Sequence, residues 1–180
     1  AEYVGVGTVE FLHDLATGET YFMEVNTRLQ VEHTITEVTT GLDLVKLQID
    51  LARGGRLDGE PPVERGAAIE ARITAEDFFD GFRPAPGRVI ELRLPAGPGV
   101  RVDTGLRAGD LIPPDFDPLL AKIIVTGHNR AEAVARLRRA IDETHIVIDN
   151  GASTVGFVAG LLAQPEYLAR DVHVTWVDDL

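Results

Sequence analysis

Polar and apolar side chains alternate in the stretch Glu24-Val25-Asn26-Thr27-Arg28-Leu29-Gln30-Val31-Glu32-His33. In an extended chain, successive side chains point to opposite faces, so residues of one parity line a single surface. That surface would carry two carboxylates, two amides and one guanidinium: Glu24, Asn26, Arg28, Gln30 and Glu32. Such a set can hold a hard cation, bind a small anion and move a proton. An amphipathic strand with one solvated face shows the same alternation, so spacing alone leaves both interpretations open.

A β-hairpin is predicted to lead into this stretch. Thr8 to Leu12 and Thr20 to Val25 are rich in β-forming residues, and residues 14–19 supply turn chemistry. The hairpin can place Glu10 beside Glu24 on the same face. Two carboxylates this close repel each other unless a cation lies between them.

Bulk composition excludes several classes of function. The chain has 180 residues, of which 44% are hydrophobic, and this suits one large domain or two small ones. No stretch approaches the roughly 20 apolar residues of a membrane span. Seventeen basic against 29 acidic residues give a net charge of −12, which argues against a nucleic-acid partner. Cysteine is absent, so disulfides and thiolate metal sites are excluded and a cytoplasmic location is expected.

The two lysines, Lys46 and Lys122, do not follow a glycine-rich loop, and the chain contains no Walker A or His-Glu-x-x-His pattern. Its five histidines are scattered, and we interpret each as a surface or packing residue. The first residues resemble the middle of a domain, and we expect the chain to be a piece of a longer protein.

A domain boundary is predicted between residues 59 and 66, where glycines flank Pro61-Pro62. A helix is predicted before it, over residues 42–53, with an apolar stripe of leucines and a stop at Gly54-Gly55. The expected domains are residues 1–60 and 66–177.

The second half reads as several strands with flanking helices, which predicts an α+β fold. A helix over residues 131–143 would be capped by Asn129, with Glu132 as its capping-box partner. Strands are predicted at 68–74, 88–94, 100–103 and 119–125, a last helix from about residue 153, and a closing strand at 172–177.

Residues 22–33 closely resemble the signature of biotin carboxylase, the ATP-grasp enzyme or domain of the biotin-dependent carboxylases. The family pattern Glu-x-Asn-x-Arg-x-Gln-Val-Glu-His is matched at every fixed position. The resemblance continues in the expected order through Ile69–Ile73, Pro84–Gly87, Gly99–Arg101 and Pro113–Asp117. It implies the end of an ATP-grasp domain, followed by an antiparallel-sheet biotin carboxylase C-terminal domain with flanking helices.

The resemblance implies that Glu10 and Glu24 hold Mg²⁺ (or Mn²⁺) against the phosphates of ATP, the substrate, with Asn26 assisting. Oxygen ligands of this kind suit Mg²⁺, which takes one or two carboxylates and completes its shell with phosphate oxygens.

A bicarbonate site is implied by the next residues of the pattern. Arg28 resembles the anchor of the anion, because a planar guanidinium matches a planar carboxylate-like anion. Gln30 and the backbone N–H of Val31 complete that pocket in the family. Glu32 resembles the general base that deprotonates bicarbonate for attack on the γ-phosphate.

Arg101 resembles the arginine that stabilises the enolate of the biotin ureido group, although without the family a surface arginine is the simpler interpretation. The family usually has tyrosine where Phe116 stands, and Phe116 lacks the hydroxyl of that residue. We expect Asp117 and Lys122 to form a structural ion pair.

The chain lacks the lysines and glycine-rich lid of the family's ATP site, so we expect it to be inactive alone, although its parent is an enzyme. It also lacks the Met-Lys-Met biotin-attachment signature, and this implies that biotin arrives on a separate carrier domain. A carboxyltransferase would pass the carboxyl group to an acyl-CoA, pyruvate or urea. A homodimer or larger complex is expected.

Two alternative functions remain open. One is another bicarbonate-activating ATP-grasp ligase, similar to carbamoyl-phosphate synthase, and the other is a docking or dimerisation module.

Overall fold

The computed structural model describes residues 2–173 and 175–180. The chain divides into two compact units, Ala1–Arg65 and Gly66–Leu180. Helices and antiparallel sheets occur together, which confirms the predicted α+β class.

The first unit opens with an antiparallel hairpin of strands β1 (Thr8–His13) and β2 (Thr20–Asn26). Two backbone hydrogen bonds of Asp14 close its turn: the Asp14 carbonyl accepts from Gly18 N at 2.8 Å, and Asp14 N donates to the Glu19 carbonyl at 2.9 Å. The register pairs Glu10 with Glu24, with an irregularity just after Glu10. The predicted hairpin is confirmed, and its register, which the sequence left open, places the two carboxylates side by side.

Two helices follow, α1 (His33–Thr40) and α2 (Leu44–Ala52). Gly41 separates them with a left-handed φ of 79°, a conformation that suits glycine at the end of a helix. The side chain of Asp43 then caps α2 by accepting from Lys46 N at 2.8 Å. The helix predicted over residues 42–53 is confirmed.

The prediction that the strand continues through the alternating stretch to Glu32 is wrong. β2 ends at Asn26, a loop follows, and α1 begins at His33. Arg28, Gln30 and Glu32 therefore do not lie on one face of a strand. Loop geometry, instead of a period of two, sets where these side chains point.

The second unit contains most of the regular structure. Its elements are, in chain order, β3 (Ala67–Thr74), β4 (Glu76–Asp77), β5 (Arg83–Pro84), β6 (Arg88–Arg93), β7 (Val100–Asp103), β8 (Leu119–Gly127), α3 (Arg130–Glu143), β9 (His145–Asp149), α4 (Val155–Ala163) and α5 (Pro165–Ala169). Strands β3, β8 and β7 form an antiparallel sheet in that order, β6 pairs with β9, and β4 pairs with β5.

The hydrophobic core lies where α3 packs on β8 and β3. β8 is buried from Leu120 to Val125, as a central strand covered on both faces must be. Leu137 and Ile141 of α3 are almost fully buried against it. β3 pairs with one edge of β8 and β7 with the other.

The N-terminus of α3 differs in one detail from the predicted capping box. Asn129 Oδ1 accepts from Glu132 N at 3.0 Å, as predicted. The reciprocal bond goes one residue further back, because Glu132 Oε2 accepts from His128 N at 2.8 Å. The N–H of Glu132 is one of the groups that the first turn of a helix leaves without an intrahelical partner.

The predicted closing strand at residues 172–177 is wrong for the part that the structure describes. Val174 lies outside the described residues. Residues 172 and 173 belong to no helix or strand and residues 175–179 form turns, with Trp176 N donating to the His173 carbonyl at 3.0 Å. The short elements β9 and α5 were not predicted.

Candidate functional site

Polar side chains converge where the hairpin of β1 and β2 ends. Asn26 Nδ2 donates to Glu10 Oε1 at 2.7 Å and to Glu24 Oε1 at 3.1 Å. Gln30 Nε2 reaches back to Glu10 Oε1 at 3.3 Å. The structure thus brings together four of the residues singled out in the sequence, two of them carboxylates bridged by one amide.

This cluster has the donor chemistry of a magnesium site. Among the described residues, no three His, Cys, Asp or Glu side chains group together, so the cluster offers two carboxylates and an amide. Mg²⁺ is usually held by one or two carboxylates, with the remaining ligands from phosphates and water. A half-turn of the Asn26 amide presents its oxygen, instead of its nitrogen, to a cation.

The loop after β2 carries an exposed cationic side chain, that of Arg28. Arg28 is exposed, and its one hydrogen bond within the described part of the chain runs from Nη1 to the Leu29 carbonyl at 3.4 Å. Its guanidinium therefore has donors available for an anion. Val31 and Glu32 follow, and Glu32 occupies the N-cap position of α1, where Ile35 N donates to its carbonyl at 3.0 Å.

His33 anchors this loop, a role that the sequence did not indicate. Its Nδ1 lies 2.7 Å from the Gln30 carbonyl, which also accepts from His33 N at 3.3 Å. A carbonyl only accepts, so Nδ1 carries the proton. Nε2 lies 4.0 Å from the buried carboxylate of Glu37. The one available signal was the position of His33 as the last residue of the matched pattern.

Arg101 lies in the second unit, on β7. Its Nε and Nη2 donate to the two carboxylate oxygens of Asp103 at 2.8 and 3.0 Å. Lys122 Nζ lies 3.5 Å from Asp103 Oδ2. The expected ion pair between Asp117 and Lys122 is wrong, because Asp117 Oδ1 instead accepts from Leu119 N at 2.8 Å, closing a local turn. Phe116 is 77% exposed.

Family models match both units. A model described as the biotin carboxylase C-terminal domain matches residues 70–179. A second model, described as the ATP-binding domain of the carbamoyl-phosphate synthase L chain, matches residues 1–60.

Individual proteins give the same result. A biotin carboxylase from Nostoc sp. is 45% identical over 180 residues, covering 99% of this chain and 40% of that protein. A pyruvate carboxylase subunit from Methanothermobacter thermautotrophicus is 43% identical, covering 99% of this chain and 37% of that protein. The chain therefore spans about two fifths of the length of these relatives.

A solved structure supports the fold. The biotin carboxylase domain of 2-oxoglutarate carboxylase from Hydrogenobacter thermophilus, a complex with MgADP and bicarbonate, superimposes with a TM-score of 0.90 at 35% identity. The match covers 96% of this chain and 38% of that one. Within the described residues, no helix is long and apolar enough to cross a membrane.

Proposed function

The chain belongs to the biotin carboxylase family, and from this premise we propose that it forms part of an enzyme that uses Mg-ATP and bicarbonate to carboxylate biotin. One observation carries the proposal. Asn26 bridges the paired carboxylates of Glu10 and Glu24, immediately before a loop that carries Arg28 and Glu32. A cation site, an anion site and a base thus follow one another along the same short segment.

Bicarbonate binds at the loop after β2. Arg28 holds the anion through its guanidinium, and Gln30 and the Val31 N–H complete the pocket. Glu32 removes the proton of bicarbonate. The freed oxygen then attacks the γ-phosphorus of ATP, the bond to the ADP oxygen breaks, and carboxyphosphate forms.

Glu10, Glu24 and Asn26 would hold Mg²⁺ or Mn²⁺. The bound ion neutralises charge on the phosphate oxygens of ATP. The contribution of this chain is to keep the two carboxylates adjacent. Strand pairing fixes their spacing, and the Asn26 amide fixes their orientation.

Arg101 serves the second step, in which the carboxyl group passes from carboxyphosphate to a ureido nitrogen of biotin, and the departing phosphate takes the proton of that nitrogen. Negative charge develops on the ureido oxygen as this nitrogen becomes nucleophilic. A fixed guanidinium aimed at that oxygen lowers the barrier, as preorganised charge does generally.

The partners of the chain follow from the same reaction. We propose a longer parent protein, because the chain spans about two fifths of its relatives. A carrier domain brings biotin, and a carboxyltransferase delivers the carboxyl group to an acyl-CoA, or to pyruvate or urea. A homodimer or larger complex in the cytoplasm is the proposed assembly. Residues 1–180 alone are proposed to be inactive, since half a nucleotide clamp does not position ATP.

A second bicarbonate-activating function is carbamoyl-phosphate synthesis. The match of residues 1–60 to an ATP-binding model of that name favours it specifically. Neither that reaction nor a purely docking role needs Arg101 to meet biotin, so biotin dependence separates these alternatives from the main proposal.

The test uses the complete parent enzyme with Mg-ATP and bicarbonate, and it follows ADP release with and without free biotin. We expect bicarbonate-dependent turnover that biotin stimulates. Glu32→Gln should abolish this turnover, by a factor of about 10² or more, because it removes the base while keeping the shape. Glu60→Gln changes an exposed glutamate of the first unit that lies outside its helices and strands, and this matched control should behave as wild type.

Turnover that ignores biotin would contradict biotin carboxylation and favour the other ligase. Full activity in Glu32→Gln would remove Glu32 from its role. Bicarbonate-dependent ATP hydrolysis by residues 1–180 alone would contradict the proposed inactivity.

A further inference from the structure

We propose that Asp103 is the positioning residue that sets the orientation of Arg101 toward biotin. The inference rests on the proposed role of Arg101 and adds a second residue to that site. Arg101 and Asp103 are two positions apart on β7 and share one face of the strand.

The contact between them is a fork-to-fork pair. Nε and Nη2 of Arg101 each meet a different oxygen of Asp103, at 2.8 and 3.0 Å. Such bidentate pairs define both the position and the plane of the guanidinium. The pair engages one edge of the group and so fixes the direction in which the donors of the other edge point.

A lysine of the neighbouring strand in turn fixes the position of Asp103. The sheet register sets Asp103 directly opposite Lys122 of the central strand β8. Lys122 is buried, and its Nζ lies 3.5 Å from Asp103 Oδ2. The carboxylate therefore lies between a cation anchored in the core and the arginine that it orients.

The ionised form of Asp103 is favoured by this arrangement. Partial burial raises the pKa of Asp103, but the hydrogen bond and charge of Arg101, together with Lys122, outweigh burial and bring the pKa below its ordinary value. The pair thus stays charged at neutral pH.

A simpler role for Asp103 is to neutralise Lys122. In that case its loss would weaken the whole unit, and both steps of the reaction would suffer alike. A positioning role predicts a selective effect on the step that uses biotin.

The test is the Asp103→Asn variant of the complete parent enzyme. Asparagine keeps the size of the side chain but loses its charge and one acceptor oxygen. Two rates are measured: bicarbonate-dependent ADP release without biotin, and the same rate over a range of free biotin concentrations. We expect the ratio of the biotin-stimulated rate of ADP release to the unstimulated rate to fall by about 10- to 100-fold, which is the usual cost of losing an orienting partner.

Three further variants test whether the effect of Asp103→Asn acts through Arg101. In an Arg101→Ala background, Asp103→Asn should lower the ratio no further, because its target is gone. Asp103→Glu keeps the charge on a longer stem, so it should restore part of the ratio, and it carries the test if the asparagine variant does not fold. Glu143→Gln breaks an exposed ion pair of Arg139 with a separation of 3.0 Å and should leave the ratio as in wild type.

Equal loss of both rates in Asp103→Asn, no loss at all, or a higher biotin-stimulated rate would each overturn the proposal. The last result would mean that Asp103 competes with the ligand for Arg101. Failure of the proposed function is distinguishable, since it would appear in the wild-type enzyme as turnover without biotin stimulation.

Discussion

Asn26 shows how one side chain can prepare a site for a charged ligand. Its amide group donates to both Glu10 and Glu24, two carboxylates that strand pairing forces together. Without a donor between them, these groups would turn apart to reduce their repulsion. The amide therefore holds in place two carboxylates that a divalent cation can bind, and a half-turn of the amide adds its oxygen to the ligands.

Asn26→Ala should raise the Mg²⁺ concentration needed for half-maximal ATP turnover by the parent enzyme. We expect an increase of about 10-fold, within the range for loss of a group that orients metal ligands. A magnesium titration of initial rates measures it. Gln48→Ala, on α2, is the control and should leave the titration where it was. An unchanged titration in Asn26→Ala would remove Asn26 from the metal site.

Close backbone approach explains one of the glycines in the proline-containing loop before β6. A Cβ at Gly87 would overlap the Asp149 carbonyl oxygen and would lie 2.8 Å from Ile148 Cγ2. Both neighbours belong to β9, the partner strand of β6, so neither can move freely. The glycine is required here by lack of space.

Gly87→Ala should destabilise the second unit by about 1–3 kcal/mol, the usual cost of overpacking. Urea unfolding of a protein that contains residues 66–180 measures the loss. The matched control is Gly105→Ala, where the added methyl meets nothing within 4 Å. Equal stability of the two variants would contradict the steric argument.

At the scale of elements, the first turn of α3 contains a glutamate, Glu132, that interacts with several neighbouring groups. Glu132 accepts from His128 N at 2.8 Å and lies 2.7 Å from Arg136 Nη2. The backbone N–H of His128 is the main cause that lowers the pKa of Glu132 to about 2, and the His128 side chain and Arg136 act in the same direction. A carboxylate near a helix N-terminus also interacts favourably with the helix dipole.

The depressed pKa predicts how stability changes with pH. A folded-state pKa of about 2, below the ordinary 4.5, means that Glu132 stabilises the fold above pH 4.5 and loses this effect as pH falls toward 2. Thermal unfolding of wild type and Glu132→Gln should therefore differ at pH 7, with the difference shrinking through that window. A difference that stays constant down to about pH 2.5 would contradict the assignment.

At the scale of the whole molecule, the two units differ in how well they bury apolar surface. All the described apolar side chains that are fully buried belong to the second unit. In the first unit the described buried residues are Thr34, Glu37 and Thr39, whereas hairpin residues such as Phe11 and Phe22 are more than half exposed. A two-stranded hairpin is at best marginally stable without a covering layer.

Separate expression of the units tests this difference. Residues 66–180 should unfold cooperatively in urea, because they contain a continuous core. Residues 1–65 should show no cooperative transition and should tend to associate through the exposed strands. A sharp unfolding transition for residues 1–65 alone would contradict this reasoning.

The hairpin, the second-unit strands and the apolar face of α3 were predictable because their signals are local. Alternation, turn residues and a 3.6-residue stripe each describe a few neighbouring positions. α1 was not predictable in this way. Its sequence, His-Thr-Ile-Thr-Glu-Val-Thr-Thr, is rich in β-branched residues with poor helix propensity, yet it is helical from His33 to Thr40.

The sequence by itself determined the α+β class, the β-hairpin that contains Glu10 and Glu24 and the family to which the motif belongs, because these depend on residue types at short, regular spacings. Only the tertiary structure decided which acid meets Lys122. Asp117 is closer along the chain, but the register of β7 on β8 places Asp103 opposite the lysine. Strand register links residues far apart in the chain, so no local pattern could have revealed that Asp103 lies between Lys122 and Arg101.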